Sequence, residues 1–294
     1  MSNFLGSLHT SQDIDRDTII KYYTQSSPGY AFFHSTDGSV HMAVSSNGEF
    51  SRDDYYAQAR HFDEQIKRFG SSDVLELASG KGFNTVYLAQ RNPNVRFTGI
   101  DITPLHVDLA TQKSQSHSVS NARFELGDFH SLKYPDHSFD YIFEVESVCH
   151  ALYLSQVLDQ VYRVMRPGGV FTLFDGFRKK SLDSISEDER IAALLVEKSM
   201  AVSGALTLDE FLKAAQDAGF EVIEKEDISE KIMPNLLRFQ FLARGFFKYA
   251  WLGKAIKGIL PDYLVQNAIA GMLMPIVVGD GIQGYYKISL KRPL

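Results

Sequence analysis

From residue 73 onward the chain alternates short apolar runs with longer amphipathic ones. DVLELA, VRFTGIDI, ARFELGD, SFDYIFEVE, GVFTLFDGF, EVIEKED and, near the C-terminus, GYYKISLKR have the length and the Val, Ile, Phe and Tyr content of strands. Helical patterns separate most of them. GFNTVYLAQR is closed by Asn92-Pro93, and PLHVDLATQKSQSH is opened by Thr103 with Pro104 at the first helical position. LSQVLDQVYRVM is ended by Arg166-Pro167-Gly168-Gly169, and LDEFLKAAQDAGF carries its own glycine C-cap. Strands separated by such helices predict an α/β chain: a doubly wound, mostly parallel seven-stranded sheet with helices on both faces.

The flanks depart from this rhythm. Residues 1–50 are irregular, with a helix expected around Thr18–Thr24 and then a segment rich in Gly, Ser and aromatics; DDYYAQARHFDEQIKRF, 53–69, reads as an amphipathic helix starting near Asp53 or Asp54. Residues 229–280 break the alternation again. Their stretch LLRFQFLARGFFKYAWLGKAIKGIL, 236–260, holds Arg238, Arg244, Lys248, Lys254 and Lys257 and no acid, among Phe, Leu, Ile and Trp251, and reads as a helix apolar on more than one side. The expected organisation is an N-terminal cap over 1–69, a core over 70–228 and 281–294, and a helical cap inserted over 229–280. The basic apolar stretch fits either a cap closing over a site or a helix lying on a membrane surface, basic residues toward anionic lipid and aromatics in the acyl boundary.

Composition narrows the partners. With 294 residues, 44% of them apolar, the chain has material for a sizeable core. A net charge of −6 makes nucleic acid a poor partner. A single cysteine, Cys149, forms no internal disulfide, the polar start has no apolar signal segment, and no long apolar run suggests a membrane span. The expectation is a soluble cytoplasmic protein, with peripheral membrane contact through 236–260 as the alternative. The histidines and Cys149 show no metal-ligand spacing, so no metal is expected.

Two constellations carry chemistry. In VLELASGKGFNT a strand meets a tight turn and a helix; Gly80 and Gly82 let backbone approach a ligand, and Asp101 closes the next strand where a carboxylate suits a ribose diol. Asn84 stands where a dinucleotide fingerprint needs a third glycine, and Glu76 would repel a pyrophosphate. An adenosyl ligand carrying positive charge, such as S-adenosylmethionine, fits better than NAD(P). A ligand-free tight turn is the bland alternative. Asp128 and Phe129, after the next strand, suit an adenine amino group and ring. The second constellation is FEVESVCHAL, 143–152, which places Glu144, Glu146, Cys149 and His150 at the end of a buried strand. Strand alternation would put Glu144 and Glu146 on one face. Glu146 and His150 are the acid–base candidates; Cys149 reads as a small buried hydrophobe. Tyr22, Tyr23, Tyr30 and Phe33 offer an aromatic wall.

ELASGKGFNT, GIDIT, GDF with SFD, and RVMRPGG together resemble the successive motifs of class I S-adenosylmethionine-dependent methyltransferases over about residues 70–225. ESVCHAL is similar to the E-A-T-C-H-A-P segment of sterol C-methyltransferases through Glu146, Cys149, His150 and Ala151, and to the E-S-G-E-H segment of tocopherol-type methyltransferases through Glu146, Ser147 and His150. KYYTQSSPGYAFFHS is weakly similar to the aromatic segment preceding the fold in sterol methyltransferases. Ala78 departs from the family's usual glycine, so the turn must accept a Cβ there, and Ser79 replaces a frequent cysteine. The resemblance implies a Rossmann-like fold and S-adenosylmethionine as cofactor, with Glu76, Ala78, Gly80, Gly82, Asn84, Asp101, Ile102, Asp128, Phe129 and Glu144 around it. It implies Glu146, His150, Tyr30 and Tyr23 at the chemistry, and a small lipophilic acceptor, an isoprenoid or sterol-like carbon. N- or O-methylation of an amine or phenol, and a non-catalytic cofactor-binding module, stand as alternatives.

Overall fold

The computed structural model describes residues 14–30, 34–202, 205–248 and 262–294; Phe33, Trp251, Lys254 and Lys257 lie outside them. The core is a seven-stranded sheet of β1 (Asp73–Glu76), β2 (Arg96–Asp101), β3 (Ala122–Leu126), β4 (Phe139–Val145), β5 (Met165–Arg178), β6 (Glu221–Asp227) and β7 (Gln283–Lys291), in the order β3-β2-β1-β4-β5-β7-β6. Pairing is parallel from β3 through β5, whereas β7 runs antiparallel to both β5 and β6. The central strands are buried on both faces, which is why β1 and β4 read as continuous apolar runs.

Helices cover both faces. On one, α2 (Ala57–Phe69) buries Phe62 and Ile66 beside Leu88 of α3 (Phe83–Arg91), with the Phe62 ring 4.3 Å from Phe143. Full burial of a side chain such as Phe62 stabilises by roughly 1.5–3 kcal/mol. A capping box between Ser51 and Asp54 starts the 3-10 turn, Arg52–Tyr56, that feeds α2. On the other face, α5 (Leu154–Val164) presents Val157, Leu158 and Val161, and α7 (Leu208–Asp217) presents Phe211 and Ala215. The helix α4 (Pro104–Ser116) follows β2 with its proline at the start, as the sequence predicts.

Three features differ from the sequence reading. The strand β5 starts at Met165 rather than after the Arg166–Gly169 turn, because this segment already pairs with β4. A helix absent from the reading, α6 (Glu187–Ser199), is set by a capping box in which Ser186 and Glu189 satisfy each other's backbone N–H groups. And β4 ends at Val145, so Glu146 does not continue its alternation; with φ 55° it turns into the left-handed region, and Glu144 and Glu146 occupy different environments.

Between β6 and β7 the chain forms α8 (Ser229–Lys248) and α9 (Asp262–Gly279), which pack on one another, and α9 also packs on α6. The N-terminal helix α1 (Arg16–Gly29), capped by Asp15, is fastened to α9. Tyr22 donates its hydroxyl proton to Asn267 Oδ1 at 2.6 Å, and Asn267 Nδ2 donates to Ser26 Oγ at 3.1 Å. Both flanks thus meet above the carboxyl ends of the strands.

Candidate active site

The strand order reverses between β1 and β4, and the loops leaving β1, β2 and β4 converge on that crevice. After β1, Ala78, Gly80 and Gly82 all have positive φ, at 49°, 52° and 73°. Ala78 holds this conformation with a Cβ, at a cost of about 1–2 kcal/mol. A Cβ on Gly82 would meet Ala110 and the Phe124 ring at 2.9 Å, so this glycine lets α3 start close against α4 and β3. Asp101 fixes the turn: its Oδ2 accepts Gly80 N–H at 2.9 Å and its Oδ1 accepts Thr103 N–H at 2.8 Å. Each oxygen retains a second lone pair.

Two cavities open here. The smaller, of about 80 Å³, is lined by Ala78, Gly80, Asp101, Ile102, Asp128 and Phe129 together with Arg16, Thr103, His106 and His130. The larger, of about 240 Å³, lies under α1, α8 and α9 and is walled mainly by apolar side chains such as Ile232, Phe239, Leu242, Phe246, Leu264 and Met274. Tyr23, Val40, Glu146 and His150 line both. Tyr30 faces the larger cavity alone.

Four sequence candidates do not line the smaller cavity, for identifiable reasons. The Glu76 carboxylate accepts from Asn84 Nδ2 at 3.1 Å and from Thr85 N–H at 3.2 Å; it caps the start of α3, and this occupies Asn84 as well. Burial lifts Glu76 to about 7. Gly82 serves helix packing. Glu144 is fully buried, and its Oε2 accepts the backbone N–H and hydroxyl of Ser147 at 2.7 and 2.6 Å. Burial, and the neighbouring Asp175 carboxyl, raise Glu144 well above the usual carboxylate range.

At the shared wall, Glu146 Oε1 accepts the Met42 N–H at 2.7 Å and the Tyr285 hydroxyl at 2.8 Å. Its Oε2 makes no hydrogen bond among the described residues. Burial pushes Glu146 up to about 8, against the pull of these two donors. His150 is a clamp in geometry. Its Nδ1 lies 3.1 Å from the Ala201 carbonyl, so Nδ1 carries the proton; Nε2, 2.9 Å from the Tyr23 oxygen, then accepts the Tyr23 hydroxyl proton. Burial pulls His150 down to about 4, so it is neutral near pH 7. The Tyr23 ring is also edge-on to Tyr22 and stacked at 6.5 Å on Tyr30. Burial raises the Cys149 thiol far above its ordinary range, consistent with a packed, unreactive side chain.

Asp175, Tyr285, His34 and Asn267 also line the larger cavity, and none was a candidate from sequence. Asp175 had a signal: it interrupts the apolar run of β5 as Glu144 interrupts β4. Tyr285 had none, since GYY reads simply as strand. Among the described residues, no group of three or more His, Cys, Asp or Glu side chains is placed to hold a metal ion.

Comparison with known proteins places this geometry. A sterol 24-C-methyltransferase of Neurospora crassa is 29% identical over 184 residues, 61% of this chain and 48% of that protein. The chain spans about half the length of the sterol methyltransferases it matches. An S-adenosyl-L-methionine-dependent Diels–Alderase of Talaromyces variabilis is 27% identical over 245 residues, 80% of this chain and 83% of that protein. Two solved structures share the fold: the cyclase SpnF, at TM-score 0.75 and 18% identity over 94% of this chain and 96% of that one, and a geranyl diphosphate C-methyltransferase of Streptomyces coelicolor, at TM-score 0.65 and 12% identity over 94% and 97%. The profile of a methyltransferase domain family matches residues 70–229, the segment holding the glycine turn, Asp101, Asp128 and Glu146, and the chain belongs to that family.

Proposed function

We propose that this protein transfers the methyl group of S-adenosylmethionine to a carbon of a lipophilic, isoprenoid or sterol-like acceptor. One observation carries the reading: a small cavity suited to an adenosyl ligand and a large apolar one share a wall made of Tyr23, Val40, Glu146 and His150. The smaller cavity fits the cofactor. Its left-handed turn exposes backbone at Ala78 and Gly80, the free lone pairs of Asp101 suit a ribose, and Phe129 and Ile102 offer flat apolar surface to a base. Bound there, the cofactor supplies an electrophilic methyl group on a sulfonium.

The chain supplies alignment, charge stabilisation and a base. The cap and α1 exclude water from the transfer point. Carbon methylation of an alkene leaves a cation, and the Tyr23 and Tyr30 faces with the Glu146 carboxyl stabilise it; a desolvated cation–π contact contributes about 2 kcal/mol. Binding of the cationic cofactor favours ionised Glu146, whose own proton leaves to solvent before transfer, and the carboxylate then takes at Oε2 the proton whose loss restores the alkene. His150 does not serve as the base in this scheme. Both of its nitrogens are engaged, and it acts by holding Tyr23 at the wall.

A second reading, cyclisation of a lipophilic polyene with the cofactor bound but not consumed, is favoured by the Diels–Alderase matched over most of its own length. Product mass spectrometry with a panel of lipophilic alkenes, amines and phenols separates the readings. Methyl transfer predicts a mass gain of one CH2 and one S-adenosylhomocysteine per product, on alkenes above amines or phenols. An isomeric product without S-adenosylhomocysteine would replace the first reading with the second. Absence of a thermal shift with either adenosyl ligand would overturn both.

The reading extends to location: a cytoplasmic protein resting on a membrane surface. No described helix is long and apolar enough to cross a membrane. On α8, Ile232, Phe239, Leu242 and Phe246 wall the larger cavity, while Leu237 and Phe241, one turn apart, are 51% and 76% exposed. Arg244 and Lys248 follow them along the helix. In liposome flotation the protein is expected to rise with acidic-lipid vesicles, and the Leu237→Glu/Phe241→Glu variant to stay in solution. An unaltered chain that never floats would remove the membrane from this reading.

A further inference from the structure

The larger cavity combines two properties that the proposed reaction leaves unused. Among the described residues lining it there is no lysine or arginine. Its acids are Glu146, Asp175 and Glu197, and Glu197 is already paired with Arg178, whose Nε lies 2.8 Å from Oε1. A phosphorylated acceptor would bring several negative charges against buried carboxyls with no cation among the described lining residues, and burying unpaired charge costs many times what a hydrogen bond returns.

The second property is an unused polar group. His34 lines this cavity; its Nδ1 is sealed off from solvent and cavity alike, and its Nε2, the nitrogen left accessible, makes no hydrogen bond among the described residues. Buried polar groups are nearly always satisfied, so an orphaned imidazole on a cavity wall calls for a ligand. Burial keeps this histidine neutral, so Nε2 offers one hydrogen bond, donated or accepted according to tautomer, which a hydroxyl or carbonyl oxygen completes. A row of rings leads to it from the transfer point: His150 to Tyr23 at 5.6 Å, Tyr23 to Tyr30 at 6.5 Å, and Tyr30 to His34 at 5.3 Å, with Phe239 at 4.9 Å closing the far side.

We infer that the acceptor is an uncharged lipid lying along this row of rings, with its reacting carbon at Glu146 and its polar oxygen on His34. This rests on the methyl-transfer reading of the shared wall. It separates this chain from the Streptomyces coelicolor enzyme, whose structure holds geranyl diphosphate and Mg2+.

The test is equilibrium binding to the full chain loaded with S-adenosylhomocysteine, using four probes of one carbon skeleton: farnesol, farnesal, the hydrocarbon farnesene, and farnesyl diphosphate with Mg2+. The alcohol or the aldehyde is expected to bind tightest, and which of the two leads identifies hydroxyl or carbonyl. The diphosphate is expected to bind weakest. His34→Phe should weaken the preferred probe by about five- to tenfold, the worth of one neutral hydrogen bond, with farnesene within about twofold. His34→Gln should recover part of the loss. A diphosphate that binds as tightly as the alcohol, four probes that bind alike, or equal weakening of alcohol and hydrocarbon by His34→Phe would each overturn the inference. If His34→Phe does not fold, the four probes on the unaltered chain still decide between charged and uncharged acceptors. Failure of the unaltered chain to bind S-adenosylhomocysteine would instead overturn the methyl-transfer reading itself.

Discussion

Glu146→Gln is expected to lower turnover by about 10²- to 10⁴-fold while S-adenosylhomocysteine affinity stays within about threefold. Glutamine preserves the shape of the site. Its carbonyl oxygen still accepts from the Met42 N–H and the Tyr285 hydroxyl, the two bonds that fix Oε1. What is lost is the negative charge that Oε2 presents to a developing cation and the ability to take its proton. His150→Gln is expected to cost less, because its work is to hold the Tyr23 hydroxyl through Nε2, and a glutamine carbonyl offers an acceptor there. The two variants therefore separate a base from a clamp. Turnover of Glu146→Gln within a few-fold of the unaltered enzyme, or a His150 variant more damaging than it, would reverse the assignment.

The order of effects follows from how burial acts on the two side chains. The same desolvation that lifts a carboxyl lowers an imidazole. Glu146 is moved to about 8, where it becomes a competent base once a cation arrives; His150 is moved to about 4, where it binds a proton poorly. Sequence pattern places both residues at the mouth of the core but carries no information on the depth of burial or on partners. Tyr23 and Ala201 lie 127 and 51 residues away from His150, and only the packed fold reveals them as its partners.

The same distinction runs through the rest of the molecule. Strand existence was legible, because a parallel strand buried on both faces writes itself as an apolar run and because proline and glycine mark the helix ends. The direction of β7 was not legible, since an alternating strand looks the same either way along the chain. The helix α6 was legible in principle through Ser186 and Glu189, three residues apart before IAALLVE. The cofactor candidates divide by the same logic. Ala78, Gly80, Asp101, Ile102, Asp128 and Phe129 are at strand ends and face the smaller cavity, while Glu76 accepts from Asn84 and Thr85 at the start of α3. A carboxylate beside a glycine turn reads identically in sequence whether it meets a ligand or caps a helix. Asp175, Tyr285 and His34 come from β5, β7 and the segment after α1, and no local pattern could tie them to one cavity.

The free protein is expected to lose stability as pH rises from about 6.5 to 8. The carboxyls Glu76 and Glu146 titrate at about 7 and about 8 when folded, against an ordinary value of 4.5. A group whose folded value is raised keeps its proton in the folded state after the unfolded chain has released it. Its stabilising contribution is complete below 4.5 and is lost as pH climbs to the folded value, at about 1.4 kcal/mol per pH unit for each such group. The buried histidines work in the opposite sense. His41 and His150, both lowered to about 4, favour the folded state more as pH rises toward 6.5 and add nothing further above it. Below pH 6.5 the two sets offset each other; above it the histidines no longer do so, and the melting temperature should fall beyond pH 6.5. Glu146→Gln should lessen the fall toward pH 8, where Glu76 has largely released its proton. Ligands give the sharper measurement. S-adenosylmethionine carries a sulfonium charge that its demethylated product lacks, and a cation at the shared wall favours ionised Glu146. The affinity ratio of S-adenosylmethionine to S-adenosylhomocysteine should therefore rise severalfold from pH 6 to pH 8.5 in the unaltered protein and stay flat in Glu146→Gln. A ratio independent of pH in both would mean that the sulfonium does not sit beside Glu146, and the carboxyl would then have to act on the acceptor alone.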